Sequence, residues 1–108
     1  MIKTVKVSEA PEIPNPQKLD ARRLHDSEHA QVMHISLSQG ESVAKHTVTV
    51  DVVFFILGGN GIVEIGDEQV EVSQDMLVYS PANLPRGLVN NGKGPFRVLI
   101  IRTPRPKE

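Results

Sequence analysis

The chain has 108 residues, of which 39% are hydrophobic, and a formal net charge of -1. That is enough for one hydrophobic core and too little for a second. A charge near zero and an aromatic content of 4% provide no basic, base-stacking surface, so nucleic acid is not an expected partner. There is no cysteine, hence no disulfide framework and no thiolate chemistry. The opening MIKTVKVSEAPEIP lacks the apolar core of a signal peptide, and no apolar run approaches the roughly 20 residues of a membrane-spanning helix. The expectation is a cytoplasmic protein with no membrane partner.

Residues 2–7 alternate apolar and polar and suit an edge strand. Pro11, Pro14 and Pro16 then impose an extended arm, of a kind that often packs across a neighbouring subunit. The division that follows is a strand and proline-rich arm over 1–18, a barrel over 19–104 and a tail over 105–108. The charged segment 19–30, LDARRLHDSEHA, reads as a helical turn or an irregular connection. His25 and His29 stand four apart in it, but without an apolar stripe they mark a solvated surface rather than a metal clip. Residues 31–38, QVMHISLS, alternate strictly, with Met33, Ile35 and Leu37 on one face and Val32, His34, Ser36 and Ser38 on the other.

Residues 40–61, GESVAKHTVTVDVVFFILGGNG, are the most informative stretch. A glycine turn leads into a long β-branched and aromatic run that closes on three glycines and an asparagine, which is a strand and hairpin signature. In one continuous strand His46, Val48, Val50, Val52, Phe54 and Ile56 share a face. The opposite face carries Asp51 with Val53, Phe55 and Leu57, and is too apolar for open water at those last three positions. A strand apolar on both sides is expected to be covered on both, the outer one by a second sheet or a second subunit. IVEI and QVEVS form a hairpin about residues 66–68. MLVYS leads into the PANLP loop, RGLVN is a further strand, and FRVLIIR is a last buried strand before the prolines of TPRPKE. No repeat or long helix is evident, and many short strands with closely spaced turns indicate an all-β barrel or sandwich. GGNG lacks the lysine and following helix of a phosphate-binding loop.

Two spacings in this chain resemble the motifs of the cupin family. The first motif runs glycine, five residues, His-x-His, three or four residues, glutamate, six residues, glycine. Gly40, His46 and Gly59 hold their places in it, while Val48 stands at the second histidine and Val52 at the glutamate. The second motif runs glycine, five residues, proline, one residue, glycine, two residues, histidine, three residues, asparagine. In DMLVYSPANLPRGLVN, Pro81 and Asn90 match, Asn83 replaces a glycine, Asp75 stands at the opening glycine, and Arg86 stands at the histidine. The resemblance implies an all-β, cupin-type double-stranded β-helix, a jelly-roll barrel of two antiparallel sheets.

It also implies which positions would hold a metal. Family members that follow the pattern supply three histidines and one glutamate from the positions held here by His46, Val48, Val52 and Arg86. Two of these are hydrocarbon and a guanidinium stays protonated, which leaves one histidine where a catalytic site takes about three protein ligands. No cofactor is therefore expected. A divalent metal stays open only if His34 or Asp51 joins His46, and strand parity turns Asp51 away unless a bulge intervenes.

The candidate ligand pocket comprises His46, Arg86, His34, Tyr79, Val48, Val52 and Phe54. A planar cation suits a carboxylate or phosphate, so the first functional reading is a metal-free barrel binding a small, acidic organic ligand anchored by Arg86 and His46. Plainer roles are a solvated or locally paired Arg86, a hydrogen-bonded His46 or His34, a packed Tyr79 and a backbone-fixing Asn90. The alternatives are a metal-dependent cupin enzyme, a dioxygenase, isomerase or decarboxylase of a small acid or sugar, using His46 with non-family ligands, and a structural or regulatory dimer with a filled interior. A homodimer is expected in either case.

Overall fold

Period-two alternation decides the architecture seen in the computed structural model, which describes residues 1–107. Among them nine strands form two antiparallel sheets. They are β1 (Asp20–Asp26), β2 (Gln31–Leu37), β3 (Ser42–Thr47), β4 (Asp51–Gly58), β5 (Asn60–Ile65), β6 (Glu68–Ser73), β7 (Leu77–Ser80), β8 (Pro85–Val89) and β9 (Phe96–Thr103). One sheet has the order β1-β2-β9-β4-β7 and the other β3-β8-β5-β6. This is the double-stranded β-helix that the two motifs imply. No helix among the described residues is long and apolar enough to cross a membrane.

The inward residues of both sheets meet in one core. Leu37, Ile56, Val63, Leu88, Phe96 and Val98 are each no more than 1% exposed, and full burial of such a side chain stabilises by about 1.5–3 kcal/mol. In β4 the alternation is clean, with Val52, Phe54 and Ile56 buried inside and Val53, Phe55 and Leu57 half-buried outside. The left-handed turns fall at motif positions: Gly40 has φ 85, Gly59 φ 81, Asp75 φ 73 and Asn83 φ 69. Asn and Asp tolerate this backbone best after glycine, and both stand where the family pattern has glycine.

Three expectations from the sequence require correction. Residues 2–7 do not form a strand: Val7–Glu9 is a 3-10 turn, Ile2 is 91% exposed, and the arm pairs with the sheets as a single isolated bridge among the described residues, Glu12 to Arg22. Proline at 11, 14 and 16 removes the donors a ladder needs. Instead Arg22 Nη1 holds the arm by donating to the carbonyls of Ser8 at 3.3 Å and Ala10 at 3.0 Å. Segment 19–30 is not a helical turn, because Asp20–Asp26 is an edge strand paired to β2 with a bulge between Arg23 and His25. Its charge marks an edge, where only Leu19 and Ala21 have to reach the core. Residues 46–56, finally, are not one strand. β3 ends at Thr47, residues 48–50 bend, and β4 begins in the other sheet.

Packing is closest where β5 passes Phe96. A Cβ built on Gly61 would lie 2.4 Å from the Phe96 ring, whereas one on Gly94 meets nothing within 4 Å. Gly61→Ala is therefore expected to cost about 1–3 kcal/mol by overpacking, and Gly94→Ala less than about 0.5 kcal/mol. Urea unfolding of the two variants measures both, and equal small losses would contradict the packing described.

Candidate functional site at the barrel mouth

Strand β8 lies between β3 and β5, and its inward face carries Arg86 and Leu88. In the ladder Arg86 stands opposite His46 on one side and Ile65 on the other. From the facing sheet β4 contributes Val52 and Phe54, and β9 contributes Ile100 and Arg102. With Val43 and Val48 these residues enclose a cup of about 30 Å³, roughly the share of one water molecule in the liquid. It lies at the end of the barrel where β3 and β9 finish and β4 and β8 begin.

Arg86 is 3% exposed. Its Nε donates to Ser80 Oγ at 2.6 Å, Nη2 donates to the carbonyls of Val50 at 2.9 Å and of Pro81, and Nη1 donates to Val48 O at 3.4 Å. No carboxylate of the described residues forms a salt bridge with it. Burial pushes its pKa down, against the opposing pull of Asp51 and Tyr79, but a guanidinium stays charged at any ordinary pH. The side chain is thus neither solvated nor ion-paired. It ties the bend at 48–50 to the loop after β7. Two further bonds support the same junction: Asn83 N–H donates to Val48 O at 3.0 Å, and Ala82 N–H to Asp51 Oδ1 at 3.0 Å.

The structure brings His46, Arg86, Val48, Val52 and Phe54 together around the cup. His46 is exposed at the rim, with Nδ1 3.4 Å from Ala44 O. Two residues named with them from sequence lie elsewhere. His34 stands on the outer face of the five-stranded sheet, opposite Arg22 on β1 and Leu99 on β9, in a recess bordered by Val7 and Ser8. It is 2% exposed and cannot share an ion with His46 across the sheet. Arg97 Nε–H donates to its Nε2 at 3.1 Å, so the neutral ring carries its proton on Nδ1, which is buried without a partner. Tyr79 lies on the outer face of the same sheet, opposite Val53 and 55% exposed. Partial desolvation, and after it Asp51, pushes its phenol pKa up.

Asp51 points away from the cup, as strand parity requires. Asn90 fixes backbone at the far end of the barrel, donating from Nδ2 to Leu37 O at 2.8 Å and Gly94 O at 2.9 Å and accepting from Gly92 N–H at 2.9 Å. Among the described residues no group of three or more His, Cys, Asp or Glu side chains is placed to hold a metal ion. The donor set at the family's ligand positions, one imidazole, two valines and a guanidinium, does not fit one. Sequence reasoning missed Arg102 and Ile100, although the alternation in FRVLIIR places Phe96, Val98, Ile100 and Arg102 on one face. It gave no signal for Ser80, whose hydroxyl accepts from Arg86 Nε at 2.6 Å.

A two-sheet jelly roll with both motif frames in place is a cupin-type barrel, and the comparisons agree. The family model of the cupin domain matches residues 33–102, and the chain belongs to that family. The uncharacterized protein MJ0764 of Methanocaldococcus jannaschii is 26% identical over 87 residues, covering 80% of this chain and 75% of the relative. Its crystal structure, described as an RmlC-like cupin with a double-stranded β-helix fold, aligns with TM-score 0.79 at 23% identity, over 97% of this chain and 94% of that one. TT1209 from Thermus thermophilus is similar at 28% identity and TM-score 0.78, over 85% and 89% of the two chains. The polyketide cyclase RemF from Streptomyces resistomycificus, at 19% identity and TM-score 0.84 over 100% and 83%, shares the fold alone.

His34 makes the fold sensitive to acid. Its pKa is pushed below the ordinary 6.5, first by burial and then by Arg97, with Arg22 adding to the effect and Asp20 opposing it. Because the folded-state pKa is depressed, the unfolded chain takes up the proton first as pH falls. The contribution is full above about pH 6.5 and is lost as pH drops below it, with a slope of up to about 1.4 kcal/mol per pH unit. His34→Gln keeps an acceptor for Arg97 and is expected to remove most of that slope, as read by urea unfolding between neutral and mildly acidic pH. An identical slope in the variant would contradict the assignment.

Proposed function

We propose that this cupin barrel binds a small organic acid at its mouth, between His46 and Arg86, without a resident metal. The observation that supports this reading is the state of Arg86: a buried guanidinium beside an apolar cup, held by neutral oxygens only. It has five N–H groups and no carboxylate among its contacts. A carboxylate accepts more strongly than a backbone carbonyl, so an incoming acid competes with residues 48–50 for Nη1 and Nη2. At about 30 Å³ the cup is far below the roughly 300 Å³ of a small ligand pocket. Entry therefore lifts the bend at 48–50, and the acid's apolar part then lies against Val43, Val48 and Phe54 while His46 meets it at the rim.

The same small volume favours a second reading, in which the interior is filled by its own side chains and the chain serves as a structural or regulatory dimer. Protein purified without chelator, assayed for bound metal and then screened by thermal shift against acetate, pyruvate and benzoate, separates the two. The first reading expects substoichiometric metal and a saturable rise in melting temperature with at least one acid, weakened several-fold in His46→Ala. Stoichiometric iron, zinc, nickel or manganese contradicts it. No rise with any acid leaves the filled barrel.

We read a second copy of this chain as the cover of the outer sheet face. There Tyr79, Val53 and Ile101 form one cross-strand row and Leu77, Phe55 and Leu99 the next, and Leu77 is 59% exposed. Adjacent apolar rows with exposed members support a contact surface on this face. Sedimentation at high micromolar concentration is expected to give twice the chain mass, and Leu77→Glu to shift it towards the single chain. A wild-type protein that sediments as one chain contradicts the proposal.

A further inference from the structure

The barrel is open along one seam. Among the described residues β6 pairs with β5 alone and β7 with β4 alone, so each ends its sheet. Every second residue of an edge strand turns its N–H and C=O away from the ladder. Between these two edges runs a groove of about 590 Å³. Val70, Tyr79 and Leu84 border it and are exposed, and Tyr79 carries it onto the outer sheet face beside Leu77. Asp67 and Glu68 border it too, with no lysine or arginine in the lining, and neither takes part in a salt bridge among the described residues. Lys45 donates from Nζ to the Gly66 carbonyl at 3.0 Å, at the turn end of the groove.

The chain itself holds a segment of matching character. Residues 2–6, IKTVK, continue the arm beyond Val7 and Ser8, which border the outer-face recess of Arg22 and His34. They form no element of their own, and Ile2 and Val5 are exposed. Unlike residues 11–16 they contain no proline, so every N–H is available to a ladder. Drawn out as a strand they put Ile2, Thr4 and Lys6 on one face and Lys3 and Val5 on the other. Each face thus carries one apolar and one basic side chain, which a groove both apolar and acidic complements. At about 3.4 Å per residue the segment spans roughly 17 Å, enough to run along the four residues of β7.

We infer that residues 2–6 of a second copy pair with the free edge of β7 as a further strand of the five-stranded sheet, and that two chains exchange arms in this way. The inference rests on the second copy proposed for the outer sheet face and extends it. In their own chain the arm lies at β1 and the open edge at β7, at opposite ends of the sheet order. Four strand spacings of about 4.8 Å separate them, which the segment does not cross while also lying along β7. A two-fold axis parallel to the strands lays β1 of one copy over β7 of the other, and brings both arms to both edges at once. Main-chain bonds to the edge then supply affinity, and Lys3 and Lys6 against Asp67 and Glu68 supply selectivity.

Because the chain has no cysteine, Thr4→Cys takes a single spin label. Mixing this labelled chain with isotope-enriched wild type lets paramagnetic broadening report contacts between copies only. Broadening is expected at the amides of Asp67, Val70, Leu77 and Tyr79. Two charge-reversed variants, Lys3→Glu with Lys6→Glu and Asp67→Lys with Glu68→Lys, alter exposed positions alone. Each is expected to self-associate about tenfold more weakly than wild type, whereas their mixture, matched in both directions, regains the loss. Broadening confined to other amides, or a mixture no tighter than either variant, overturns the exchange. A wild-type dimer without broadening at the groove overturns the exchange and leaves the face-to-face contact standing, while a chain that sediments singly overturns both.

Discussion

The guanidinium of Arg86 and its ring of neutral acceptors hold the mouth of this barrel together. An unpaired buried charge is costly, and Arg86 offsets that cost with the Ser80 hydroxyl and three carbonyls drawn from two loops. Residues 48–50 carry the chain from one sheet to the other, Pro81 and Asn83 turn it back, and the Asn83–Val48 and Ala82–Asp51 bonds share the task of joining them. The arginine therefore does at the mouth what hydrocarbon packing does in the middle. It stands where the family pattern has a histidine, so one substitution both removes a metal donor and supplies a structural tie.

The two ends of the barrel are built on different chemistry. At the far end Asn90 satisfies three backbone groups, and Gly61 lets β5 approach the Phe96 ring, so that end is close-packed and tied through its backbone. At the mouth the bonds run from one flexible side chain to loop carbonyls, which a better acceptor is able to replace. This arrangement belongs to the site and not to the fold, since cupin barrels carry many functions.

Much of this was legible in the chain itself. The motif frames at 40–59 and 75–90 located the turns because a left-handed backbone restricts residue choice, and Asp75 and Asn83 adopt it as Gly40 and Gly59 do. Strand alternation located the core and turned Asp51 outward. What alternation does not encode is pairing. Residues 2–7 have the pattern of a strand but no ladder partner in their own chain, while 20–26 read as a polar connection because an edge strand needs few apolar residues. The sheet change at 48–50 was invisible for the same reason, since Val48 and Val50 continue the apolar pattern through a bend. The side on which His34 stands is not legible, because an inward and an outward histidine have the same sequence signature until the neighbouring strand is known. The acceptors of Arg86 are mostly backbone oxygens, which no side-chain pattern reports.

The most direct test of the account is hydrogen exchange at the Arg86 Nε–H, followed by NMR in protein carrying labelled arginine. If the guanidinium closes the mouth as described, this proton exchanges slowly, on the scale of buried core amides such as that of Leu88, since it is released only by opening of the mouth or by global unfolding. Exchange as fast as that of the exposed Arg23 side chain would mean that Arg86 is not held by the loop oxygens, and the account of the mouth would fail.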